Sequence, residues 1–88
     1  MLPRRRADLT TRMIDGEIVI LNRDSSEVHH LNPTASRIWE LCDGSTSPEE
    51  IAVRVAASFN ASADQIMSDV IGAVADLQRL GLISQQGE

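Results

Sequence analysis

Three helix-starting signals punctuate the later two thirds of this chain and leave few ways to fold it. Asn32-Pro33 puts an N-cap residue before a proline, whose missing N–H costs nothing in a first helical turn. Ser47-Pro48-Glu49-Glu50 does the same and adds a capping box, in which Glu50 can reach back to the Ser47 amide. Ser62-Ala63-Asp64-Gln65 is a second capping box. Behind the first signal, Ala35, Ile38, Trp39 and Cys42 fall at helical spacing, and Gly44 offers a left-handed exit. Behind the second, the apolar face is Ile51, Ala52, Val55, Ala56 and Phe59. The third helix runs to Leu80 over about 18 residues, roughly 27 Å at the standard rise. Gly81 then suits the C′ position, and Leu82 can pack back on Leu77 as in a Schellman ending.

Before Asn32 the pattern changes to strands. Leu9–Ile14 is a first strand, and Asp15-Gly16 is a two-residue hairpin signal because both residues tolerate positive φ. Glu17–Asn22 is β-branched and apolar on both faces, as an inner strand would be. Arg23-Asp24-Ser25-Ser26 is a polar turn, and Glu27–Leu31 a short third strand. Strands followed by helices argue for an α+β domain, a three-stranded antiparallel sheet with one face covered by three helices. Residues 1–88 are expected to form one domain, with residues 1–8 flexible.

Charge and composition narrow the function. Residues 1–23 carry five arginines against three carboxylates, a net +2; residues 24–88 carry three against ten, a net −7. A body with that surplus repels phosphate backbones, so nucleic acid is not the expected partner. Aromatic residues are Trp39 and Phe59 alone, so the core must be aliphatic. The single cysteine, Cys42, excludes an internal disulfide and fits a reducing, cytoplasmic setting. No apolar run reaches the roughly 20 residues of a membrane span, and the arginine-bearing start has no apolar segment behind it.

The stretch Leu31-Asn32, Ile38-Trp39-Glu40-Leu41, Asp43-Gly44, Ser47-Pro48-Glu49-Glu50-Ile51 and Leu80-Gly81-Leu82-Ile83 resembles the PqqD-like family of RiPP recognition elements. The likeness covers residues 29–84. It implies a winged helix-turn-helix fold with an N-terminal three-stranded sheet. It also implies a function without catalysis: holding a precursor's leader peptide as an extra strand against the third strand, beside the third helix. The partners so implied are that leader and a modifying enzyme, a radical-SAM maturase or a leader peptidase, in a pathway such as lasso peptide or PQQ biosynthesis. Strand addition is physically apt, since an edge strand presents unpaired amides and carbonyls that an extended peptide can satisfy. The expected peptide-binding residues are Glu27, Val28, His29, His30 and Leu31 on the strand. On the helix they are Val70, Ala73, Leu77 and Leu80, with Asp69 and Asp76 flanking them to attract basic groups.

Other constellations read as structure. His29 and His30 are adjacent on a strand and point to opposite faces, so they cannot converge on one metal ion. Cys42 sits in the last turn of a helix, where the dipole disfavours a thiolate. The serines show no nucleophile elbow and the isolated glycines no phosphate loop, so neither a catalytic residue nor a cofactor is expected. Gly72, inside the third helix, costs about 1 kcal/mol relative to alanine. Two rival functions follow from the same pattern: a winged-helix DNA-binding regulator and a generic protein–protein adaptor. The first would need a basic recognition helix, whereas Gln65, Gln78 and Arg79 here sit among Asp64, Asp69 and Asp76.

Overall fold

Eight elements in the order β1 (Leu2–Arg5), β2 (Thr10–Ile14), β3 (Glu17–Asn22), β4 (Glu27–His30), α1 (Pro33–Leu41), α2 (Pro48–Ser58), α3 (Ala63–Arg79) and β5 (Ile83–Gln86) make up the computed structural model. It describes residues 2–86. Strands β2, β3 and β4 form an antiparallel sheet with β3 in the middle, and β1 pairs with β5 in a second, two-stranded sheet. Asp15 and Gly16 both take positive φ (52° and 80°), the requirement of the tight turn that joins β2 to β3. Along β3 the alternation puts Ile18, Ile20 and Asn22 against the helical body. The core joins Ile18 and Ile20 to Ile38 and Trp39 of α1, Ile51 and Val55 of α2, and Ile66, Val70, Val74 and Leu77 of α3.

Each helix starts where its cap dictates. The side chains of Asn32, Ser47 and Ser62 accept the amides of Ala35, Glu50 and Gln65 at 2.8, 3.1 and 3.2 Å. The reciprocal half of the Ser47–Glu50 capping box does not form: the Glu50 carboxylate accepts from Arg54 Nε at 3.1 Å instead. At the far end of α3 the Schellman pair is complete, Gly81 N–H to Gln78 O at 3.0 Å and Leu82 N–H to Leu77 O at 2.9 Å. Phe59 does not join the apolar face of α2. It is the C-cap, after which Asn60 turns at φ 54°, and 43% of it is exposed.

Within the segment expected to be flexible, Leu2–Arg5 form a strand. These residues are paired from Leu2 opposite Gln86 to Arg5 opposite Ile83, and Pro3 is fully buried. Strand β1 also stitches two helix ends together. Arg5 N–H donates to Cys42 O and Gly44 N–H to Pro3 O, both at 2.8 Å, while Arg6 N–H donates to Leu82 O at 3.1 Å. The Arg5 guanidinium donates to the carbonyls of Trp39 and Glu40 at the end of α1, and that of Arg6 to Gly81 O beyond α3. Cationic donors there satisfy the orphan carbonyls and oppose the negative ends of the helix dipoles. Gly44, at φ 81°, lies two residues past the α1 cap; a Cβ on it would lie 3.1 Å from Arg4 Cδ.

One buried hydroxyl sets where the sheet ends and α1 begins. Leu31 N–H donates to Ile18 O at 2.8 Å, continuing the β3–β4 ladder by one bond. The return bond is replaced by Ser36, whose hydroxyl accepts from Ile18 N–H at 2.8 Å and donates to Leu31 O at 3.1 Å. With the hydroxyl inserted, the chain peels from β3 and every buried backbone group there keeps a partner.

Candidate functional site

Strand β4 is an edge of the three-stranded sheet. Because Leu31 and Ile18 are a hydrogen-bonded pair, antiparallel alternation makes His29 and Glu27 face β3 as well, opposite Ile20 and Asn22. The backbone amides and carbonyls of Val28 and His30 therefore point along the open edge. Side chains divide the other way. Those of Glu27, His29 and Leu31 share the face of Ile18 and Ile20, and those of Val28 and His30 lie on the outer face.

Where β4 runs into α1, a groove of about 570 Å³ opens between α1 and α3. Of the residues expected to bind peptide, Leu31, Asp69, Ala73, Asp76, Leu77 and Leu80 line it. Val70 does not: it has no exposed surface and belongs to the core. The reason is helical phase, since Ile66, Val70, Val74 and Leu77 form the stripe that faces inward, while the groove follows the neighbouring row. Glu27, Val28, His29 and His30 form the open edge leading to the groove and are not part of its wall.

The groove also takes Asn32, Thr34, Ala35 and Ile38 from the α1 side and Ser68 and Gly72 from α3, none of which the sequence reading singled out for binding. The available signal was the helical row through Asp69, Gly72, Ala73 and Asp76. Gly72 is exposed, and a Cβ built on it would meet nothing within 4 Å, so no packing inside this chain calls for glycine there. The two acids differ. Asp76 is paired with Arg79 at 2.9 Å, whereas Asp69 has no ion pair among the described residues.

The titratable residues nearby are placed as follows. His30 Nε2 lies 2.7 Å from Glu17 Oε1 on the outer face, tying β4 to β3. His29 Nε2 is buried without a hydrogen-bond partner, 3.5 Å from Glu27 Oε1. Cys42 is fully buried, its thiol donates to Ile38 O at 3.2 Å, and burial pushes its pKa to about 11. No helix among the described residues is long and apolar enough to cross a membrane.

The family model described as coenzyme PQQ synthesis protein D matches residues 17–83 of this sequence. No curated protein matches it. Three solved structures share its fold. TbiB1 in complex with the TbiA(beta) leader peptide aligns at TM-score 0.81 and 22% identity, covering 97% of this chain and 99% of that one. A lasso peptide synthetase B1 complexed with the leader peptide aligns at 0.80 and 23%, covering 96% and 99%. The PqqD truncation of Methylobacterium extorquens PqqCD, described as a stand-alone RiPP recognition element, aligns at 0.77 and 20%, covering 96% and 89%.

Proposed function

This chain belongs to the family of coenzyme PQQ synthesis protein D, and from that premise we propose that it holds the leader segment of a ribosomally made precursor peptide for a separate modifying enzyme or leader peptidase. The observation that carries the reading is the open edge of β4 running into a groove with apolar walls and carboxylates at its margin. An added strand would take backbone hydrogen bonds from Val28 and His30. A segment of five residues spans about 17 Å, enough to reach from that edge towards the groove. Side chains beyond the strand would enter between α1 and α3 against Leu31, Ala73, Leu77 and Leu80, and a basic group would find Asp69.

The protein's own role is binding, with the covalent chemistry left to the partner. Cys42, its single thiol, is sealed in the core with a raised pKa, and His29 and His30 face opposite sides of one strand. The DNA-binding reading loses support from the groove side of α3, where Asp69 and Asp76 lie and would repel phosphate. The fold likeness to two leader-peptide complexes supports the proposal.

Fluorescence anisotropy with labelled leader, labelled core peptide and labelled duplex DNA tests it. The expected result is leader binding at roughly micromolar affinity or better, about 8 kcal/mol, with no response to core peptide or DNA. Tight DNA binding with no response to leader would overturn the assignment.

A further inference from the structure

The leader-binding reading uses one edge of the three-stranded sheet; the other edge, β2, is also open. All five of its residues, Thr10 to Ile14, are exposed. With Ile18 hydrogen-bonded towards β4, its neighbours Glu17, Val19 and Leu21 face β2 and pair with Ile14, Arg12 and Thr10. The amides and carbonyls of Thr11 and Met13 are thereby left pointing outward. Beside them lies a groove of about 360 Å³ walled by Thr11 and Met13, with Ile18 and Trp39 in its lining. Met13 is 52% exposed, an apolar side chain largely open to solvent.

Charge tells what would fit. Arg12 alternates with Met13 along the strand, also lines this groove, and has no ion pair among the described residues. Arg5 lines the groove but spends its guanidinium on the carbonyls of Trp39 and Glu40, and Glu40 lies 3.8 Å from Arg37. Arg12 therefore leaves an unpaired positive charge at the middle of β2, whereas Asp69 leaves an unpaired negative one in the other groove. A second copy of this chain is a poor occupant. Symmetric antiparallel pairing over the whole strand would centre on Arg12 and set it opposite its own image, and like charges directly opposed destabilise a sheet.

We propose that β2 is a second strand-addition edge, taking an extended segment of a partner protein that alternates apolar, acidic, apolar. The carboxylate lies opposite Arg12 on the outer face, and the flanking apolar side chains lie over Ile18, Met13 and Trp39. The two edges of one sheet then accept two different chains, distinguished by the sign of the charge beside each.

Titration of ¹⁵N-labelled protein with the peptide acetyl-Thr-Val-Glu-Val-Thr-amide, and with its lysine counterpart, tests this without any leader. Thus its failure is separate from failure of the leader reading. The glutamate peptide is expected to shift the amide resonances of Thr11, Arg12 and Met13 and to leave Val28 and His30 unmoved. The lysine peptide should bind at least tenfold more weakly, Arg12→Glu should invert that order, and Met13→Pro should abolish the response while the rest of the spectrum stays folded. Equal binding of both peptides, shifts confined to β4, or no response of β2 at millimolar peptide would each overturn the proposal.

Discussion

His29 and His30 are neighbours in sequence and opposites in the ladder, and proline separates them. The His30 amide points along the open edge, so proline there removes no bond of the free protein but takes a donor from an added strand and brings a ring against it. The His29 amide faces β3, where proline removes a ladder bond. We expect His30→Pro to keep its melting temperature and to bind leader at least tenfold more weakly, a change of about 1.4 kcal/mol. His29→Pro should lose stability by about 1–3 kcal/mol, the cost of a broken ladder bond whose acceptor is left unpaired. Thermal melts and leader anisotropy on both variants check this; if both fold and bind like the parent, β4 is not the docking edge. Cys42 gives a second prediction at this scale. Its folded pKa of about 11 lies above the ordinary thiol value, so the folded state favours the neutral thiol. That contribution is complete below pH 9 and is lost as pH rises through 11. Denaturation midpoints should therefore fall more steeply over that window in the parent than in Cys42→Ala.

Among the elements, the junction of sheet and α1 depends on the Ser36 hydroxyl. Ser36→Ala would leave Ile18 N–H and Leu31 O buried without partners, each costing about 1–3 kcal/mol. We expect the variant to lose about 2–4 kcal/mol by chemical denaturation, and a loss below 0.5 kcal/mol would show that another group fills the gap. Nothing in the sequence marks Ser36, because its role arises only when β3 lies beside the start of α1. The helices were legible for the opposite reason: Asn32, Ser47 and Ser62 act within three residues of themselves. The Asp15-Gly16 turn fixed the β2–β3 register in the same local way. Strands β1 and β5 were not legible. Leu2–Arg5 contains a proline and two arginines without alternation, and its pairing partner lies at the other end of the chain. Within the site, the α3 row could be read from its period, save that Val70 belonged to the inward stripe. The α1 wall could not, since its approach to α3 is a matter of tertiary packing.

Across the whole molecule, two charges without an ion pair among the described residues stand beside the sheet's edges, Asp69 in the groove at the end of β4 and Arg12 on β2. Asp69 is the carboxylate to test, because Asp76 is already engaged by Arg79. If the leader brings a basic group, Asp69→Lys should weaken binding about fivefold in low salt. Most of that difference should vanish near 1 M salt, where charges are screened beyond roughly 3 Å. A loss that persists unchanged at high salt would point to a steric effect instead.

The pairing of β1 with β5 governs how the domain answers a pull. Leu2 lies opposite Gln86 and the strands are antiparallel, so tension applied through the two ends loads the inter-strand bonds one after another, as in a zipper. Opening it frees the backbone bonds and the Arg5 and Arg6 side chains that clasp the ends of α1 and α3, while the β2–β3–β4 sheet bears no load until those are gone. Stretched between two handles in an optical trap, the molecule should yield first in a small, low-force step that shortening the chain by residues 2–5 eliminates.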